Sequence, residues 1–386
     1  MYPIVGIICE YDPFHLGHQR QFELIRERLP TASILCVMSG CFTQRGTPAL
    51  HSPALRAKAA LFAGADMVLE LPCAFAVRDA EHFALGGVGL LNALGFVTHL
   101  SFGTEDEPAL LAPAAQLLEA PTKDFVLALK AALSSGCSFV SAQGRALSQC
   151  LGLEAAPLQK PNNILALCYQ RALLRLHSPI QPLAVHRQGS YHATALPQSG
   201  YPSATAVRAA FLSGSVAEAS DACGYPLAAS PICVPTALDL VLLAKLRAMP
   251  TESLAALPLC TEGLHNRLHA CALRATTREE LLALLKTKRY AYARLSRLCC
   301  HALLGVTDAL LSENPLPSYA RLLGFCAKNK ALLSMLGQSK LPIIAKAADG
   351  DFQNPLYQLD EAAYDLWALG AGLPAGLMKR QGIVVA

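Results

Sequence analysis

The sequence predicts an α/β fold, a parallel sheet covered by helices, followed by a mainly helical C-terminal part. Two observations lead there. Short apolar runs alternate with helix-patterned segments through the first half of the chain, and beyond Phe211 the pattern becomes mostly helical.

The alternation begins with Ile4 to Cys9, an apolar run of the right length for a buried strand. Asp12 and Pro13 then turn the chain into a helical pattern marked by Phe22 and Ile25. "ASILCVM", Ala32 to Met38, reads as the second strand, followed by the loop "SGCFTQRGTP" and a helix starting around Pro53. "MVLELP" from Met67 gives a third strand, "AEHFALGGVGLLNALG" a helix with several small residues, and "THLSFG" a fourth strand. Pro161 opens a further helix in "LQKPNNILALCYQRAL", which leads to a strand-to-loop transition in "PIQPLAVHRQGSYH". Such alternation puts a ligand site at the carboxyl ends of the strands. Past the Pro-rich boundary "YPLAASPICVP", helical patterns run through "LDLVLLAKLRAM", "ESLAAL" and Glu279 to Leu304, dividing the chain into residues 1–225 and 226–386.

Composition permits this plan and removes other classes. At 386 residues the chain can bury a sizeable core in two domains. Its hydrophobic fraction is 53%, yet charge, Pro or Gly interrupts the apolar runs before they reach a membrane-spanning length. Without a basic region and cleavage signal at the start, a cytoplasmic location with no membrane association is expected. The 14 cysteines lack metal-ligand or disulfide spacing, so free buried thiols and no metal site are expected. With 32 Lys and Arg against 28 Asp and Glu, the formal charge is only +4, and RNA contact would have to come from local patches.

The chemistry-bearing residues sit at loops and helix starts. His15 and His18 are three apart near the start of a helix, where unpaired backbone N–H groups attract phosphate and imidazoles can donate to phosphoryl oxygens. Gly17 between them lets a ligand approach the backbone. Read alone, the pair fits satisfied surface histidines equally well. Arg45, after the second strand, can pair with a carboxylate or phosphate, and Gly46 permits a tight turn. Ser203 and Thr205 place hydroxyls just before a helix; Arg208 puts a cation near its first turn, a position disfavoured unless an anion is near. "LLKTKRYAYARLSRLCCHALLGV" reads as a basic helix with Lys286, Lys288, Arg289, Arg294 and Arg297 around Tyr290 and Tyr292, the structural alternative being a solvated face.

Pro13 to His18 resembles the histidine-x-glycine-histidine element of the nucleotidyltransferase superfamily. "YPSATAVRAAF" is similar to its serine-serine-threonine-x-x-arginine element, here Ser203, Ala204, Thr205 and Arg208. Their order, with "VMSGCFTQRGTPAL" and "GADMVLELP" between them, resembles the bacterial tRNA(Met) cytidine acetate ligase family. "YARLLGFCAKNKALL" and "KLPIIAKAAD" extend the likeness over nearly the full chain.

That resemblance implies a Rossmann-like nucleotidyltransferase domain. It implies ATP contacts from Ile7, Ile8, Cys9, Glu10, Tyr11, Asp12, Pro13, Phe14, His15, Leu16, Gly17, His18, Gln19 and Arg20, and from Gly103, Asn163, Arg187, Ser203 and Thr205. His15, His18 and Arg208 would stabilise the transferring and leaving phosphates, with Mg2+ bound mainly through ATP. The implied reaction is attack of acetate on the α phosphate to give acetyl-adenylate, then acetylation of N4 of the wobble cytidine in elongator tRNA(Met). Lys288, Arg289 and Arg294 would hold tRNA phosphates while Tyr290 stacks on an unpaired base. Asp12 and Leu16 stand where the family usually has asparagine, and Asp12 would add negative charge close to ATP, a penalty unless magnesium or a nearby cation compensates. The rival readings are a small-molecule adenylyltransferase or cytidylyltransferase and a noncatalytic RNA-binding protein on an inherited nucleotide fold.

Overall fold

β1 (Ile4–Cys9), β2 (Ser33–Ser39) and β3 (Met67–Leu71) are buried along their whole length, which is why they read as continuous apolar runs rather than alternating ones. With β4 (His99–Thr104) and β5 (Gln181–His186) they form a parallel set in the order β5-β4-β1-β2-β3. In this computed structural model, residues 2–105, 108–137, 139–152, 160–186, 195–197, 200–227, 230–287 and 289–386 are described. Helices cover both faces. Val5, Ile7 and Cys9 of β1 pack with Phe22 and Ile25 of the helix Leu16–Arg28 and with Ala57 and Ala60 of the helix Pro53–Phe62. Ile4 and Ile8, pointing the other way, pack with Val88 and Leu91 of the helix Ala80–Leu94. The small residues of that helix let it lie close to the sheet: a Cβ on Gly87 would stand 2.6 Å from Ile8 Cδ1.

The sheet does not end with the first half of the chain. β6 (Ala320–Phe325) pairs antiparallel with β3, and β7 (Ile343–Ile344) and β8 (Val384–Val385) both run parallel to β6. The C-terminal part, expected to be mainly helical, therefore also supplies three strands, and residue 225 does not divide the sheet. A buried ion pair fixes this junction: Arg321 Nη1 lies 2.7 Å from Glu70 Oε2 of β3, and the same nitrogen donates to Tyr364 Oη at 2.6 Å.

The basic stretch expected as one helix is two. Arg278–Leu285 ends at Lys286, and Tyr292–Leu304 begins after Ala291. All 14 cysteines are free, and among the described residues no helix is long and apolar enough to cross a membrane.

Candidate active site

Where β1 ends, the chain passes through Tyr11 and a cis Asp12–Pro13 bond and enters its first helix at His15. His15 is the N-cap rather than a residue on the helix face. Its Nδ1 accepts from the Gly17 N–H at 3.1 Å, and His18 Nδ1 accepts from the His15 N–H at 3.2 Å. With both Nδ1 atoms accepting, each neutral ring carries its proton on Nε2. Tyr11 and Phe14 flank the His18 ring at 4.8 and 5.5 Å, centroid to centroid. A Cβ on Gly17 would come within 3.0 Å of the His15 ring, so glycine allows this cap to form.

The second element faces the first. Ser203 Oγ caps the helix Ala204–Leu212 by accepting the Ala206 N–H at 3.0 Å. Arg208 reaches back from that helix: its Nη1 donates to the Asp12 carbonyl and lies 3.4 Å from Asp12 Oδ2, while Nη2 is 3.3 Å from Thr205 Oγ1. Asp12 Oδ1 accepts the buried N–H of Leu50 at 2.7 Å. Asp12 lines the cavity, and its carboxylate has the compensating cation at hand in Arg208 and a further partner in the Leu50 N–H.

Two further contacts shape the rim. Glu10 Oε1 accepts the Gln44 N–H at 2.6 Å; burial pushes the Glu10 carboxyl above its ordinary range, opposed by that N–H and by the cations of Arg45 and Arg208. Arg56, fully buried, donates to the carbonyls of Glu10, Ser39, Gly40 and His51 and so ties the carboxyl ends of β1 and β2 together.

Glu10, Asp12, Gln44 and Ser203 line one cavity of about 430 Å³ at the carboxyl ends of the strands, a volume within the roughly 300–1,000 Å³ usual for small-molecule sites. His15, His18, Arg45, Thr205, Arg208 and Gly103 all face it. Of the stretch Ile7 to Arg20, Pro13, Phe14, Leu16 and Gln19 are not part of its wall; Phe14 is buried and Leu16 is exposed. Asn163 is buried with Oδ1 accepting the Glu105 N–H at 2.9 Å, and its neighbour Asn162 lines the cavity instead. Lys160 is the N-cap of that helix, so capping accounts for neither asparagine. Arg187 lies outside the described residues.

The residues expected to meet RNA fare unequally. Lys288 is outside the described residues, and Arg289 forms an ion pair with Glu262. Arg294 donates to Leu259 O at 3.0 Å and Thr261 Oγ1 at 2.9 Å, and its guanidinium covers the Tyr290 ring at 5.3 Å. Tyr290 is only 7% exposed, so the expected base-stacking ring is closed off, whereas Tyr292 is 52% exposed. Arg56 and Asn162 carry site geometry that the sequence reading did not assign. An arginine on an alanine-rich helix gives no sign of burial, and adjacent asparagines differ only in which way the helix turns them.

Comparison with known proteins accords with this geometry. The HIGH nucleotidyl transferase family model matches residues 2–375. A tRNA(Met) cytidine acetate ligase of Syntrophomonas wolfei is 35% identical, covering 95% of this chain and 94% of its own. One from Clostridium perfringens is also 35% identical, with 95% and 94% covered. The crystal structure of apo Thermotoga maritima TmcAL superposes with a TM-score of 0.88 at 27% identity, covering 100% of both chains. The same protein bound with alpha-thio ATP gives 0.85 at 28% identity, covering 98% of this chain and 97% of that one. With both superfamily elements facing one cavity and the likeness running the length of the chain, this protein belongs to the tRNA(Met) cytidine acetate ligase family of HIGH nucleotidyl transferases.

Proposed function

We propose that the chain is a cytoplasmic, ATP-dependent tRNA(Met) cytidine acetate ligase. It activates acetate as acetyl-adenylate and transfers the acetyl group to N4 of the wobble cytidine in elongator tRNA(Met). The observation that carries this reading is the convergence of two helix N-termini, the His15–His18 pair and Arg208 on one cavity, in a chain whose relatives bear that ligase name over nearly their full length.

The triphosphate would lie between the N-termini of the helices Leu16–Arg28 and Ala204–Leu212, whose backbone N–H groups and dipoles favour anions. Acetate is ionised at neutral pH and needs no base. Its oxygen attacks the α phosphorus, the bond to the β phosphate oxygen breaks, and pyrophosphate departs with that electron pair. The Nε2–H groups of His15 and His18 and the Arg208 guanidinium stabilise the charge that builds on the phosphoryl oxygens. In the second step the N4 amine attacks the acetyl carbon, loses a proton, and AMP leaves. Gly103 and Asn162, which line the β4 side of the cavity, would meet the nucleoside.

Among the described residues no three His, Cys, Asp or Glu side chains come together as a metal site. In this reading Mg2+ arrives with ATP, bound mainly through its phosphates. Residues 226–386 would contribute tRNA contacts through Arg289, Arg294 and the exposed Tyr292.

The test is pyrophosphate release from ATP by the purified protein with and without acetate. Release that requires acetate, and yields acetyl-adenylate in the absence of tRNA, is expected. Release independent of acetate would favour a small-molecule nucleotidyltransferase, and ATP binding without release would favour a noncatalytic role.

A further inference from the structure

The turn that carries Arg45 into the cavity is held from behind by the C-terminal helices. Three successive carbonyls each have their own donor: Gln44 O takes Arg297 Nη1 at 3.3 Å, Arg45 O takes the Ser296 hydroxyl, and Gly46 O takes Arg278 Nη2 at 3.0 Å. The same Arg278 nitrogen lies 2.6 Å from Ser296 Oγ, which joins two of the donors to each other. Backbone packing is equally close. Gly46 has φ +73°, and a Cβ there would stand 2.7 Å from Ser296 O and 2.8 Å from the Arg297 backbone.

On the cavity side the turn is fixed again, by Glu10 Oε1 on the Gln44 N–H and by the Thr43 N–H on Thr47 O at 2.9 Å. Carbonyls in a surface turn are ordinarily left to water. Here buried or half-buried side chains take all three, so the direction in which Arg45 leaves the turn is set by residues far along the chain. Arg45 Nη1 in turn lies 3.5 Å from Thr205 Oγ1, the hydroxyl that Arg208 also approaches.

We infer that Arg278, Ser296 and Arg297 are positioning residues for acetate activation: they hold the Gln44–Gly46 turn so that Arg45 meets the anionic substrates in the cavity. The helices beyond residue 226 are then part of the activation site as well as a surface for tRNA. This rests on the reading of the cavity as the place where ATP and acetate react.

The experiment is tRNA-free, acetate-dependent pyrophosphate release by the full chain, measured for wild type, Ser296→Ala, Gly46→Ala, Arg45→Ala and the Ser296→Ala/Arg45→Ala double variant, with thermal unfolding of each. Loss of precise placement at a reacting site lowers rates by up to about a hundredfold, and Ser296→Ala is expected to lower kcat/KM about tenfold. Arg45→Ala should lose at least as much, and Ser296→Ala should lose nothing further in that background, because both act through one side chain. Should Ser296→Ala not stay folded, Arg278→Lys replaces it. It keeps the charge, but the shorter lysine side chain does not extend as far as the Nη2 that meets both Gly46 O and Ser296 Oγ, and it is expected to show the same loss.

Unchanged kcat/KM in Ser296→Ala or Gly46→Ala, with or without a lower unfolding temperature, would overturn the inference. So would fully additive losses in the double variant. A wild type that releases no pyrophosphate with acetate overturns the functional reading and this role together, whereas an active wild type matched by its variants overturns this role alone.

Discussion

His15 and His18 stack face to face, ring centroids 3.7 Å apart and planes inclined by 24°, each with its Nδ1 turned onto a backbone N–H of the turn they share. The hydrogen bonds that cap the helix thus also choose the tautomer, placing the proton of each neutral ring on Nε2. The helix cap and the proposed phosphate contact fall to the same two side chains.

They can be separated at His18. Replacing it by asparagine keeps a side-chain acceptor for the His15 N–H but removes the Nε2–H donor. His18→Asn should keep an unfolding temperature near wild type while losing about a hundredfold in acetyl-adenylate formation, the scale on which single charge-stabilising donors act. Wild-type adenylation in the folded variant would remove His18 from the phosphate site.

Asp12 makes a graded prediction. Asp12→Asn keeps an oxygen for the Leu50 N–H and should retain most stability and ATP turnover. Asp12→Ala leaves that N–H buried without its partner, a loss of about 1–3 kcal/mol, and removes the carboxylate beside Arg208, which keeps its bond to the main-chain carbonyl. Thermal unfolding and pyrophosphate release on the two variants check this, and equal behaviour of both would contradict the anchoring role.

Tyr290 and Tyr292 should behave oppositely. Truncating a buried aromatic commonly removes about 3 kcal/mol, so Tyr290→Ala should chiefly destabilise the fold. Tyr292→Ala should leave stability nearly unchanged and weaken tRNA binding. Arg289→Ala should lower the salt dependence of tRNA affinity by about one unit of slope if it holds one phosphate. Denaturation and binding at several salt concentrations read the three effects separately.

This contrast marks the limit of what the chain states in one dimension. β1 to β3 were legible because a strand buried on both faces reads as a nearly continuous apolar run, and Ser203 was legible as a cap because its role is local. β6 was not, since "ARLLGF" becomes a strand through pairing with β3 far back in the chain. The burial of Tyr290 depends on a break after Leu285 and on Arg294 folding over the ring, neither of which a continuous basic pattern reveals. Arg56 and the clamp on the Arg45 turn share that non-local origin.

His301 gives a pH prediction. It is buried in the helix Tyr292–Leu304, donates Nε2–H to Val77 O at 2.9 Å, and burial, with the cations of Arg297 and Arg78, lowers its pKa to about 4. An unfolded histidine titrates near its ordinary 6.5, so between 6.5 and about 4 the unfolded chain binds a proton that the folded chain does not. Stability must fall as pH drops through that window, by up to about 1.4 kcal/mol per pH unit from this one group. His301→Gln, which keeps an N–H donor, should remove that part of the slope in denaturation measured from pH 7 to 4. An unchanged slope would mean that His301 does not stay neutral in the folded protein.

The most direct measurement is incubation of the purified protein with ATP, Mg2+, labelled acetate and unmodified elongator tRNA(Met), followed by nucleoside analysis of the recovered RNA. Labelled N4-acetylcytidine at the wobble position, absent when ATP is omitted and strongly reduced with His18→Asn, is the predicted result. A folded, ATP-binding wild type that leaves that cytidine unmodified would contradict the proposed function.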